Sequence, residues 1–179
     1  RVNSFSTKLG RCALGGNMGS MPNPYPTVSW ASLLSRNDMY RSSPSSVLSQ
    51  FDVSAGDQWA GHFLIFGGGN DGATSIPHNF NGFNYLTFYV RGMSGGNPKV
   101  MKVELLDNAG KKEFIINGIT EAGWTYARID LSSKDINNTY LDKTSIKQLN
   151  LIYEKWRISA VSGSYGPGGC FIDDIQFEK

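Results

Sequence analysis

From residue 47 onward, apolar and polar side chains alternate with a period of two, the mark of half-buried β-strands. The segments 47–53 (VLSQFDV), 58–66 (QWAGHFLIF), 83–91 (FNYLTFYVR) and 99–107 (KVMKVELLD) follow it. So do 112–117, 124–131 (WTYARIDL), 146–154 (IKQLNLIYE) and 170–177 (CFIDDIQF). Aromatic and β-branched residues dominate several of them, as a pleated and partly buried surface favours. Turn chemistry fills the links: Ser54-Ala55-Gly56-Asp57, the Gly/Asn-rich 67–82, Gly92–Pro98 and Asn108-Ala109-Gly110-Lys111. A parallel sheet would need crossovers of a dozen or more residues between strands, and these links are too short. The pattern predicts an all-β fold: a two-sheet antiparallel β-sandwich of roughly eight strands, of jelly-roll type.

The first 45 residues read differently. Gly15-Gly16 and Pro22, Pro24 and Pro26 oppose regular helix. Residues 10–30 are expected to form a long loop over the domain, with one short helix at Trp30–Leu34. A further helical turn is placed in 132–145. The 179 residues fit one domain, 1–179, with 1–45 as an irregular segment packed on it.

Alternation also assigns faces. Leu86, Phe88 and Val90 are core, as are Met101, Val103 and Leu105; Ala127, Ile129 and Leu131; and Leu149, Leu151 and Tyr153. The opposite side then carries Tyr85, Thr87, Tyr89 and Arg91; Lys102 and Glu104; Trp124, Tyr126, Arg128 and Asp130; and Asn150, Ile152 and Glu154, with Trp156 if that strand continues. A purely solvated face would hold few rings. Aromatic residues beside guanidinium and carboxylate groups suit sugar, because a ring covers the C–H face of a pyranose and charged forks bond adjacent hydroxyls. The candidate ligand-binding residues are Tyr126, Arg128, Tyr89, Glu104, Tyr153, Glu154 and Trp156. Tyr153 is included although alternation buries it. The competing reading has these rings cover the sheet beneath the N-terminal loop.

Composition narrows the function. Net charge is +2 and the 17 basic residues form no run, which speaks against nucleic acid and anionic membranes. No apolar stretch approaches the ~20 residues that span a bilayer. The chain opens at Arg1 and is expected to be part of something longer. Cys12 and Cys170 are either unrelated apolar residues or one disulfide between the terminal segments. They form no zinc site with His62 and His78, which lack ligand spacing. A hydrolase would need paired carboxylates across a cleft. Glu104 and Glu154 could form such a pair, but nothing in the sequence marks either as a general acid, and the chain is not expected to be an enzyme.

The runs "NFNGFNYLTFYVRG" (79–92), "KVELLDNAG" (102–110), "GWTYARIDLSS" (123–133), "IKQLNLIY" (146–153) and "GCFIDDIQFEK" (169–179) resemble the galactose-binding-like jelly rolls among carbohydrate-binding modules, family 11 and its relatives above all. The resemblance spans about residues 47–179 and implies a non-catalytic, extracellular module of a larger secreted protein. Its polysaccharide, a β-linked plant glucan or hemicellulose, would lie on a concave sheet through Tyr, Arg and acidic residues. A related interaction domain, of the complex I assembly-factor type, shares the strand pattern and is the alternative. The resemblance also implies a structural Ca²⁺ site pairing an acid of the first strand with an Asp of the last. Asp173 fills the second role, sharing a face with Phe171, Ile175 and Phe177 and pointing toward the core. At the N-terminus Ser6 stands where an acid is expected, with Asn3, backbone carbonyls or Asp52 as substitutes.

Overall fold

The computed structural model describes residues 18–21, 30–36, 38–39, 41, 46–55, 58–67 and 76–179. Among the described residues, two antiparallel five-stranded sheets pack face to face. One runs β1 (Met18–Met21), β4 (Trp59–Ile65), β9 (Gln148–Glu154), β6 (Val100–Asp107), β7 (Gly110–Asn117). The other runs β2 (Trp30–Arg36), β3 (Ser46–Asp52), β10 (Gly168–Glu178), β5 (Tyr85–Gly92), β8 (Thr125–Asp130). A short helix, α1 (Lys155–Ala160), follows β9 directly. The expected all-β sandwich is therefore present.

Alternation built the core as read. Phe88 and Val90 of β5, Met101, Val103 and Leu105 of β6, Ala127 and Ile129 of β8 and Leu149 and Leu151 of β9 all sit between the sheets. The β6–β7 hairpin closes with Asp107 opposite Gly110, leaving Asn108 and Ala109 as a two-residue loop. The Asp107 carboxylate accepts the Ala109 N–H at 2.8 Å, and Gly110 takes φ +129, open only to glycine at no steric cost.

Three expectations are corrected. Residues 30–34 are strand, not helix: β2 pairs with β3 from Trp30↔Asp52 to Arg36↔Ser46, and the edge position decides the backbone where local propensity is ambiguous. With β1, it supplies the outermost strand of each sheet from the segment read as irregular. The helix lies at 155–160, not within 132–145, where Lys134 and Tyr140 form an isolated bridge. The β9 strand ends at Glu154, so Trp156 rides on α1 instead of extending that strand's outer face.

A fourth correction concerns β10. Its pairing with β5 shifts between Asp173 and Gln176, and Asp174 adopts φ +52. This bulge inverts the alternation. Cys170 and Ile172 face the core before it, and Ile175 and Phe177 after it. Asp173 therefore shares its side with Phe171 but not with Ile175 or Phe177. It pairs with Tyr89 on the outer side of the sheet and is nevertheless fully buried there.

Candidate binding groove and the opposite tyrosine face

The outer side of the sheet containing β6 and β9 is built by strict alternation. Lys102 and Glu104 project from β6 between core residues Met101, Val103 and Leu105; Asn150, Ile152 and Glu154 project likewise from β9. Pairing sets Glu104 beside Asn150 and Lys102 beside Ile152. On the flanks, Trp59 of β4 stands opposite Glu154, and Glu113 of β7 opposite Glu104. All of these outward side chains except Glu113, together with Met21 and Lys111, line a groove of about 390 Å³.

Two carboxylates directly opposed across a ladder repel each other. The groove resolves this with cations. The Lys102 ammonium, 8% exposed, lies 2.6 Å from Glu154, 3.1 Å from Glu104 and 3.2 Å from Glu113. Lys111 reaches Glu113 at 2.9 Å and Glu104 at 3.4 Å, and Arg157 donates to Glu154 at 2.8 Å. Side-chain amides take the remaining oxygens: Asn150 donates to Glu104 at 2.9 Å and Asn137 to Glu113 at 3.2 Å. Burial pushes the Glu113 carboxyl up, but hydrogen bonds from Lys111, Asn137 and Lys102 outweigh it and hold the group at about 2. Burial likewise opposes the Lys102 charge, and its bonds to Glu154 and Glu104 raise it above an ordinary lysine. Beside this fixed network Trp59 is exposed, offering a ring next to oriented acceptors.

The floor depends on Gly61, which lies between Met21 and Ile152 across the ladder. A Cβ there would sit 2.6 Å from Ile152 Cδ1 and collide with the Leu151 carbonyl oxygen, which cannot move without bending β9. Gly61→Ala should therefore lower stability by roughly 1–3 kcal/mol, read as a fall in the urea midpoint at unchanged slope. A midpoint equal to that of the parent protein would show that the floor has room to spare.

The sequence-predicted site residues divide three ways. Glu104 and Glu154 line the groove. Trp156 lies just beyond it, 60% exposed, with the Arg157 guanidinium 4.1 Å from its ring centre. Tyr153 is wholly buried: its ring stacks on Phe51 at 4.0 Å, and its hydroxyl hydrogen-bonds Ser49 Oγ at 2.6 Å. Tyr126, Arg128 and Tyr89 belong to the other sheet and face the opposite side of the sandwich. Tyr126 is 45% exposed and donates its hydroxyl to Glu178 at 3.1 Å. Guanidinium groups cover two nearby rings, Arg128 over Tyr85 at 3.5 Å and Arg41 over Tyr89 at 3.7 Å. Those ring faces are already stacked, so the two tyrosines offer less surface to a pyranose than Trp59 does. Arg128 also borders a second depression of about 330 Å³ between β7 and β8.

Trp59, Lys102, Lys111 and Asn150 were not picked out as ligand residues. Alternation placed Lys102 and Asn150 outward, and in 58–66 it also sets Trp59 opposite the buried Ala60. What marks them as one site is the neighbourhood of β4, β9, β6 and β7, which no single strand encodes.

Asp173 accepts the Arg41 N–H at 2.9 Å and the Asp174 N–H at 2.8 Å. Ca²⁺ takes six to eight oxygen ligands. Among the described residues no group of three or more His, Cys, Asp or Glu side chains could hold a metal, and Asp52 is instead engaged with Ser54. Asn3 and Ser6, where the resemblance would place the other side of a calcium site, lie outside the described residues. Cys170 is a free, buried thiol whose pKa burial pushes up to about 12, and Cys12 lies outside the described residues. No helix among the described residues is long and apolar enough to cross a membrane.

No protein-family model matches this chain, and no curated protein matches it in sequence. Solved structures do. An exo-β-agarase is similar over 98% of this chain and 25% of its own, at 11% identity and a TM-score of 0.67. A family 11 carbohydrate-binding module from Clostridium thermocellum, solved in complex with a β-1,3-1,4-mixed-linked tetrasaccharide, is similar over 90% of this chain and 88% of its own, at 12% identity and a TM-score of 0.61. A family 30 carbohydrate-binding module gives 90% and 87% coverage, 13% identity and a TM-score of 0.59. At such identities the likeness is one of fold: the chain has the β-sandwich of carbohydrate-binding modules. It spans about a quarter of the agarase chain and most of each isolated module.

Proposed function

We propose that this chain is a non-catalytic glycan-binding module whose ligand lies in the groove over β4, β9 and β6, and that the ligand is a β-linked plant glucan or hemicellulose. The observation that carries the reading is the exposed Trp59 ring beside carboxylates and an amide already fixed by hydrogen bonds. A pyranose stacks on the ring while its hydroxyls meet oriented acceptors, with little side-chain ordering left to oppose binding. Support comes from the fold shared with the family 11 module, which was solved with a mixed-linkage tetrasaccharide. A non-catalytic role agrees with the chemistry of the acids. Glu104 and Glu154, the two carboxylates that line the groove, are already ion-paired with Lys102, Lys111 and Arg157 and do not stand as a free acid and base across an open cleft. Attachment to a larger, secreted polysaccharide-degrading protein is part of the same proposal, since the matching segment of the agarase is a fraction of that chain.

Affinity electrophoresis against soluble mixed-linkage glucan, xylan, galactomannan and agarose tests the reading. The protein should be retarded by at least one of them, and Trp59→Ala should abolish that retardation while leaving the circular dichroism spectrum unchanged. Retardation that survives Trp59→Ala but disappears in Tyr126→Ala would move the ligand to the opposite sheet. Free migration in every polysaccharide would favour the interaction-domain alternative.

A further inference from the structure

Four ionised side chains line the groove, Lys102 and Lys111 against Glu104 and Glu154, and Glu113 and Arg157 are ion-paired to them from outside it, so that the charges of the network cancel. Lys102 holds a place in this network that the other cations cannot fill. It touches all three carboxylates, whereas Lys111 reaches only Glu104 and Glu113, and Arg157 bonds Glu154. Lys111 is 57% exposed and Arg157 closes the network from α1; Lys102 alone is buried at its centre.

We propose that Lys102 is a positioning residue that makes the groove selective for uncharged polysaccharides. Its ammonium fixes three carboxylates as acceptors for hydroxyls and cancels a charge that would otherwise draw cationic chains. The inference rests on the glycan-binding reading above. The physical case has two parts. Without the central cation, the directly opposed Glu104 and Glu113 would keep only the exposed Lys111 between them and Glu154 only Arg157, and the one uncompensated negative charge would loosen their rotamers and the acceptor geometry a hydroxyl pair needs. With it, the groove has no net charge. An acidic chain meets fixed carboxylates whose cations are already engaged, a basic chain finds no net negative field, and a neutral chain meets neither penalty.

The experiment compares the parent protein with Lys102→Met, Lys102→Arg and the double variant Lys102→Met/Glu113→Gln. Each is run against a neutral panel (mixed-linkage glucan, xylan, galactomannan and agarose), polygalacturonate and chitosan at about pH 6, where most chitosan amines are protonated. The parent should be retarded by a neutral polysaccharide and by neither charged one. Lys102→Met should lose neutral binding by about tenfold or more in Kd, the scale of a misplaced charge-assisted hydrogen bond, and should gain retardation by chitosan. Lys102→Arg should keep the neutral preference. The double variant, neutral in net charge but without the central cation, should lose the chitosan gain and not regain neutral binding. A merely structural lysine would weaken all ligands alike and would not change the charge class retained.

Equal retardation of the parent by charged and neutral chains overturns the inference, as does unchanged neutral binding in Lys102→Met. A parent protein retarded by no neutral polysaccharide fails the glycan-binding reading itself, before any variant is made. Should Lys102→Met not fold, the parent and Lys102→Arg across the three charge classes still decide.

Discussion

Replacing Tyr153 with Ala should cost on the order of 3–5 kcal/mol of stability, an effect of the size expected for truncating a large, fully enclosed ring. The residue has no exposed surface. Its ring stacks on Phe51 at 4.0 Å and 18°, tying β9 of one sheet to β3 of the other, and meets the His62 ring edge-on at 6.3 Å. Truncation would remove the stack and also strand Ser49, whose hydroxyl pairs with Tyr153 at 2.6 Å and is itself fully buried. Tyr153→Phe separates the two contributions. It keeps the ring and leaves Ser49 unsatisfied, for a loss of about 1–3 kcal/mol. Urea unfolding measures both, and glycan affinity per folded molecule should be unchanged in Tyr153→Phe. A stability loss under 1 kcal/mol in Tyr153→Ala, or a specific loss of affinity in Tyr153→Phe, would return this residue to the ligand face.

Mild acid should destabilise the protein through His62. The imidazole lies on the core side of β4, with Nδ1 3.1 Å from Ser20 Oγ and Nε2 without a partner among the described residues. Burial depresses its pKa from 6.5 to about 3. A depressed pKa means that the unfolded chain takes up a proton that the folded one refuses. The stabilisation is therefore complete above pH 6.5 and is lost progressively as pH falls from 6.5 toward 3. About 2 kcal/mol should be gone by pH 5, rising to roughly 4–5 kcal/mol near pH 3. Glu113 and Asp135, both held at about 2, contribute in the same direction, but only below their ordinary values of 4.5 and 3.8. The interval between pH 6.5 and 4.5 thus isolates the histidine. Thermal melts across it should show Tm falling by roughly 4–8 °C for the 2 kcal/mol. The same melts on His62→Leu should be nearly flat. A parallel decline in His62→Leu would place the acid sensitivity elsewhere.

Both predictions concern side chains whose inward direction follows from alternation, and this is where the sequence was most informative. In β5, β6, β8 and β9 every second residue is apolar, and the core found between the sheets matches that reading strand by strand. Where the local pattern was interrupted, legibility failed for identifiable reasons. The extra residue at Asp174 reverses the alternation in β10, so Asp173 lies on the outer side, its carboxylate held by the Arg41 backbone N–H from a distant part of the chain. The stretch from Trp30 to Leu34 carries no clear period, and its strand form comes from pairing with β3. α1 begins at the residue after a strand, so Trp156 could be placed only once the end of β9 was known.

The amino-acid sequence determined by itself that this chain is a β-sandwich and which side of most strands faces the core, because side-chain direction in a strand is a local property with a period of two. It could not say which outward faces belong together. Tyr89 and Tyr126 project outward from one sheet, and Glu104 and Glu154 from the other. Alternation makes both pairs simply "outside", and a sandwich has two outsides. Only the tertiary pairing of β6 with β9 and of β5 with β8 separated them, because strand neighbourhood depends on hydrogen bonds between segments distant in the chain. That same pairing brought Lys102 into reach of three carboxylates and set Trp59 beside them.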